Sequence, residues 1–147
     1  KALSLPVVYA RKSRQVGVSD SYQTSYTSAS VGKQTDLYVS TEYIGEGDRV
    51  LVIDDFLAGG RTADALIRLC RMAKAKVVGG GFLIEKLNDA GRAFLSGYEI
   101  PLESLALVST GGGMIHVHDD PRSDEVDDGP IGAIGAARDE SDEIIEM

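Results

Sequence analysis

The sequence predicts an α/β domain built on a mainly parallel sheet flanked by helices, and three observations carry that reading. Residues 49–53 (RVLVI) and 76–85 (KVVGGGFLIE) are apolar runs of the kind that strands covered on both faces require. Between them, residues 62–75 place Ala65, Leu66, Leu69, Met72 and Ala73 on one helical stripe, with Arg68, Arg71 and Lys74 towards solvent. The connections are short, and strand–helix–strand alternation of this kind builds a parallel sheet.

The other elements follow in chain order. Residues 5–10 (LPVVYA) form a short β-branched apolar run, read as a buried strand, and the basic cluster Arg11-Lys12-Ser13-Arg14 lies at its carboxyl end. From 13 to 30, eight of eighteen residues are Ser or Thr, with Tyr22 and Tyr26 among them. So little apolar content predicts a long mobile loop, of the sort that serves as a lid. Residues 37–44 (LYVSTEYI) alternate as a strand and end in the tight turn Gly45-Glu46-Gly47-Asp48. Residues 89–96 predict a short helix closed by Gly97, and residues 103–108 (ESLALV) a last strand. Beyond Gly111-Gly112-Gly113 the hydrophobic periodicity fades and there is no internal repeat.

Charge divides the chain in the same place. The whole carries −8, but residues 119–147 hold eleven acids and two bases, a net −9, which leaves residues 1–118 at +1. The domain is therefore assigned to residues 1–118 and an acidic disordered tail to 119–147. A broadly basic nucleic-acid binder is excluded. No apolar run approaches the ~18 residues needed to span a bilayer. The single Cys70 rules out an internal disulfide and suits a reducing, cytoplasmic setting. The chain opens Lys1-Ala2-Leu3-Ser4, without Met or an apolar signal core, and reads as a fragment.

The chemistry concentrates at Ile53-Asp54-Asp55-Phe56-Leu57-Ala58-Gly59-Gly60-Arg61-Thr62. A strand ends in two carboxylates, and a small-residue turn leads into a helix. Ligands of open α/β sheets bind at the carboxyl ends of strands. Gly59 and Gly60 permit close backbone approach, and backbone N–H groups at a helix start suit a phosphate. Thr62 can cap the helix or donate its hydroxyl to a phosphate oxygen. Adjacent carboxylates can accept hydrogen bonds from vicinal sugar hydroxyls or hold Mg²⁺ directly or through water. The order of acids, glycines and Thr points to a sugar phosphate.

These residues resemble the phosphoribosyl pyrophosphate signature of the type I phosphoribosyltransferases. The resemblance extends from Leu5-Pro6-Val7-Val8-Tyr9-Ala10-Arg11-Lys12 through Lys33-Gln34-Thr35 to Phe82-Leu83-Ile84-Glu85-Lys86, over roughly residues 3–108. Within the family the pattern is most similar to the xanthine-specific branch. Adenine-specific members usually carry an apolar residue where Lys86 stands, and an acid in the mobile loop where 25–34 has none.

The resemblance implies transfer of ribose 5-phosphate from phosphoribosyl pyrophosphate to N9 of an oxopurine, with Mg²⁺ as cofactor, in a homodimer. It assigns the 5′-phosphate to Ala58, Gly59, Gly60, Arg61 and Thr62, and the ribose hydroxyls and Mg²⁺ to Asp54 and Asp55. Pyrophosphate falls to Arg11, Lys12 and Lys33, and the 6-oxygen of the base to Lys86. Gly59 replaces the usual Thr or Asn of the signature. The family's N-terminal strand, pyrophosphate loop and hood have no counterpart before Leu5, so an open sheet position and an uncovered apolar face are expected. A non-catalytic phosphoribosyl pyrophosphate-binding regulator and an inactive fragment remain as alternatives. His116 and His118 with Asp119 and Asp120 make a poor metal set, Cys70 reads as packed, and Gly79-Gly80-Gly81 as close packing or a bulge.

Overall fold

The computed structural model describes residues 4–14, 17, 20–28, 32–119 and 142–146, the last segment by its backbone alone. The elements run β1 (Val7–Tyr9), β2 (Ser21–Thr27), β3 (Gln34–Ser40), β4 (Arg49–Leu57), α1 (Arg61–Met72), β5 (Lys76–Lys86), α2 (Gly91–Leu95), β6 (Leu102–Gly111), β7 (Met114–His118) and β8 (Asp142–Glu146). A six-stranded sheet has the order β1-β8-β4-β5-β6-β7, and β2 and β3 form a separate two-stranded sheet. All pairs of the large sheet are parallel except β6 with β7. The α/β class and the mainly parallel sheet are as the sequence predicts.

The core lies where α1 covers the centre of this sheet. Val50 and Val52 of β4 and Phe82 of β5 are buried, as are Ala63, Ala65, Leu66, Ile67, Leu69 and Cys70 of α1. The predicted helical stripe is rotated slightly: Met72 stands 50% exposed, and Ala63, Ile67 and Cys70 take the inward positions. In β5 the three glycines serve packing. A Cβ on Gly80 would lie 2.8 Å from Leu102, and one on Gly81 2.8 Å from Ile53.

Three expectations are corrected. Residues 21–27, read as part of a loop, are β2, paired antiparallel with β3 from Ser21↔Ser40 to Thr27↔Gln34. Tyr and Thr suit a pleated surface, and Tyr22 and Tyr26 pack, partly buried, against the hydrophobic core. Second, periodicity does not end at Gly113. Gly112 and Gly113, both with positive φ, turn the chain into β7, where Ile115 and Val117 alternate with His116 and His118 although every residue is exposed.

Third, disorder over 119–147 does not hold at 142–146, whereas residues 120–141 lie outside the described residues. β8 occupies the sheet position expected to be open, with Ile144 in register with Val7 and Leu51, and Ile145 with Val8 and Val52. Pairing in a sheet is carried by backbone groups, so an acidic segment with two adjacent isoleucines can take the place. The uncovered apolar face is present nonetheless: Val7, Tyr9, Leu83 and Leu105 are exposed, Leu105 by 82%.

Arg68, expected in solvent, ties the small sheet to α1. Its Nε donates to Asp64 Oδ2 at 3.0 Å, one terminal nitrogen donates to Thr24 Oγ1 and the other to the Ser25 carbonyl at 2.9 Å. Hydrogen bonds from a charged donor contribute about 1.5–3 kcal/mol. Arg68→Met should therefore lower stability by about 2 kcal/mol in urea denaturation and accelerate amide exchange in Ser21–Thr27 before elsewhere. Unchanged exchange in β2 would show that the arginine does not hold it.

Candidate active site

β4 continues through both carboxylates to Leu57, and neighbouring side chains of a strand face opposite sides, so the two adjacent acids are presented differently. Asp54 is only 7% exposed, whereas Asp55 is exposed. The Asp55 N–H donates to Asp54 Oδ1 at 2.9 Å. Burial pushes the Asp54 carboxyl up to about 6 from its ordinary 3.8. The backbone hydrogen bond from Asp55 and the charge of Lys12 oppose that rise, and the Asp55 carboxylate adds to it.

After Leu57 the chain bends through Ala58, Gly59 and Gly60 into α1. Gly60 is the helix N-cap at φ 73°, a left-handed conformation that a side chain disfavours. No side chain caps this helix, so of the two roles open to Thr62 the capping one is not taken. The first N–H groups of α1 have no partner within the helix, and with the positive end of its dipole they form an anion-binding terminus.

A cleft of about 590 Å³ opens over this turn. Of the predicted residues it gathers Lys12, Asp54, Asp55, Ala58, Gly59, Gly60, Arg61, Thr62 and Lys86. Lys86 ends β5 with its Nζ 3.2 Å from Asp89 Oδ1. Two predicted residues are not brought in. Arg11 pairs through its backbone with Tyr38, its N–H donating to the Tyr38 carbonyl at 2.9 Å, and it lines a second cavity of about 370 Å³ with Arg14 and Tyr43. The bridge holds Arg11 at this second cavity, and Lys12, in the bend that follows, lines the cleft. Lys33 is exposed at the tip of the β2–β3 hairpin, where its carbonyl accepts the Ser28 N–H at 3.0 Å.

The cleft also holds residues that sequence reasoning missed: Tyr26, Ser28, Phe56 and Asp89. Alternation of Tyr22, Thr24 and Tyr26 was the signal for the first of these, and an acid three residues after Lys86 was the signal for Asp89. Phe56 follows the acid pair directly, yet nothing in its local pattern marks a cleft residue. Elsewhere, the Cys70 thiol is fully buried and pushed up to about 12 by that burial. Among the described residues no group of three or more His, Cys, Asp or Glu could hold a metal ion.

Two carboxylates, a glycine turn and a helix N-terminus stand together in one cleft at the carboxyl end of a parallel sheet, in an α/β domain. Residues 1–94 match the phosphoribosyl transferase domain, and the chain belongs to that family. It is 43% identical over 110 residues to a xanthine phosphoribosyltransferase of Listeria innocua, a match covering 74% of this chain and 57% of that protein. The chain thus spans little more than half the length of this curated relative. Solved structures with the same fold include an adenine phosphoribosyltransferase from Rhodothermus marinus, 33% identical with a TM-score of 0.59 over 70% of this chain and 55% of that one. Another is the Giardia lamblia enzyme complexed with 9-deazaadenine, 26% identical with a TM-score of 0.66 over 75% of this chain and 60% of that one.

The raised Asp54 value has a definite sign in stability. Between about pH 4 and 6 the folded chain keeps a proton that the unfolded chain releases. Stability from this group is therefore fully present below about 3.8 and is lost as pH rises through about 6. Asp54→Asn cannot ionise, so its advantage over the parent should grow by roughly 2–3 kcal/mol between pH 4 and pH 7.5. Urea denaturation at the two pH values checks this, and an advantage independent of pH would contradict it.

Proposed function

We propose that the cleft binds phosphoribosyl pyrophosphate and that the protein transfers its ribose 5-phosphate to N9 of an oxopurine, xanthine foremost, releasing pyrophosphate. The observation that carries this reading is the Ala58-Gly59-Gly60 turn at the start of α1, set beside Asp54 and Asp55 in one cleft with Lys86. The identity to proteins named xanthine phosphoribosyltransferase supports the choice of acceptor.

In the reaction N9 forms a bond to C1′ as the bond from C1′ to the pyrophosphate oxygen breaks, through an oxocarbenium-like state, and the imidazole-ring proton of the base passes to water. The residues present mainly position reactants and balance charge. The amides of Gly59, Gly60, Arg61 and Thr62, with the Thr62 hydroxyl, hold the 5′-phosphate. Asp54 and Asp55 accept hydrogen bonds from the ribose hydroxyls. Lys12, whose charge already acts on Asp54, lies on the pyrophosphate side. Lys86 donates from Nζ to the 6-oxygen of the base, and Asp89 holds that ammonium at the cleft wall. The exposed ring of Phe56 offers an apolar face to a planar base. Tyr26 and Ser28 place the β2–β3 hairpin at the mouth, where closure would exclude water. Arg11 and Lys33 lie outside this arrangement.

Mg²⁺ fits the donor set, since Asp54 and Asp55 offer hard oxygen ligands and a cation relieves the cost of ionising a buried acid. Two carboxylates are too few to hold it alone, so substrate and water oxygens complete its shell. When bound it neutralises charge on the departing pyrophosphate. The same reading includes a homodimeric, cytoplasmic enzyme, and no described helix is long and apolar enough to cross a membrane.

Turnover with phosphoribosyl pyrophosphate, Mg²⁺ and each of xanthine, hypoxanthine, guanine and adenine tests the reading. Xanthine should be preferred, and Lys86→Gln should lower its kcat/KM by about 10–100-fold, as loss of a charged hydrogen bond implies. Preference for adenine with xanthine inert would overturn the role of Lys86. Donor binding without product from any base would favour a non-catalytic binder.

A further inference from the structure

α2 has only five residues, yet it meets the phosphate turn on one side and the base of the Lys86 loop on the other. Gly91 is buried against the turn. A Cβ built there would lie 2.1 Å from the Ala58 carbonyl oxygen, 2.9 Å from Leu57 Cδ1 and 3.0 Å from the Ala58 carbonyl carbon. Its φ is outside the left-handed region, so lack of space, rather than backbone conformation, demands glycine at this position. The contact is reciprocal. A Cβ on Gly60 would lie 3.0 Å from the Gly91 carbonyl oxygen and 3.2 Å from Phe94 Cδ1. The Arg61 guanidinium sits 4.1 Å over the Phe94 ring, so the first residue of α1 also rests on α2.

The next residue anchors α2 to the sheet. Arg92 Nε donates to Glu85 Oε1 at 2.8 Å, Nη2 to Glu85 Oε2 at 2.5 Å, and Nη1 to the Leu102 carbonyl at 2.9 Å. The Ser104 hydroxyl donates to Glu85 Oε2 at 2.7 Å. Glu85 is 4% exposed, and a carboxylate so buried is tolerated only with partners of this kind. This clamp joins residues 85 and 92, closing the loop that carries Lys86 and Asp89. Neither Gly91 nor Arg92 lines the cleft.

We propose that α2 is the positioning element of the phosphate turn: Gly91 sets the depth of Ala58-Gly59-Gly60, and the Arg92–Glu85–Ser104 clamp holds Gly91 in place. The kinetic part of this rests on the cleft being the phosphoribosyl pyrophosphate site proposed above. A methyl group at 91 must push the turn outward or drive α2 away, and either movement misaligns the amides aimed at the 5′-phosphate while leaving Lys86 on β5.

The test compares the full chain with Gly91→Ala by ¹⁵N–¹H spectra without ligand and by steady-state kinetics. The amide signals of residues 58–62 should shift while those of β3 stay in place. KM for phosphoribosyl pyrophosphate should rise at least tenfold, with KM for the purine within twofold. If Gly91→Ala does not fold, Arg92→Lys and Ser104→Ala decide, with shifts at 58–62 and a several-fold rise in the same KM. Parent-like signals at 58–62 and a parent-like donor KM would overturn the proposal. So would purine and donor KM values that rise together in Gly91→Ala. A parent protein without donor binding or turnover would sink the proposed function, while the spectra would still decide whether α2 sets the turn.

Discussion

The passage from β4 into α1 through Ala58, Gly59 and Gly60 is the constraint on which the rest of the structure depends. It must reverse the chain within three residues so that α1 falls back across the sheet and Leu66 and Leu69 join Val50 and Val52 in one buried core. Only a left-handed residue makes that turn, and Gly60 supplies it. The same turn leaves the first amides of α1 without backbone partners at the carboxyl end of the sheet. The geometry that builds the core therefore also builds the proposed anion site. A side chain at 60 would disturb both, through its φ and through the carbonyl of Gly91.

The charge of the cleft follows from that placement. Asp54 alternates inward on β4 and is buried, while Asp55 turns towards solvent. A buried acid with a raised value, next to an exposed one, gains from a neighbouring cation or a hydroxyl donor. Lys12, Arg61 and Lys86 approach from three other segments. The chain's net −8 is no obstacle, because the acidic excess belongs to residues beyond 118.

β4, α1 and β5 were legible in the sequence because each is a long periodic segment whose apolar residues face a single core. The site turn was legible because carboxylates, glycines and Thr occur there in an order that chemistry constrains. β2 was not, since its strand is held by cross-strand pairs with β3 and by Arg68 from 44 residues away along the chain. Lys12 and Arg11 looked equivalent in sequence, and only the bridge from Arg11 to Tyr38 with the bend that follows it separates them. The packing of Gly91 under Ala58 involves residues 33 apart, and no local pattern reports it. β8 pairs through its backbone, so its acidic sequence gave no sign of a place in the sheet.

The proposed role of the β4–α1 turn is that of a phosphate cradle. Calorimetric titration of the chain with phosphoribosyl pyrophosphate in the presence of Mg²⁺ tests it most directly, alongside Gly60→Ala. A phosphate cradle gives saturable binding by the parent and a loss of at least tenfold in affinity for the variant, whose side chain strains the left-handed turn. Equal affinity in the two proteins, or no binding by the parent, would contradict it.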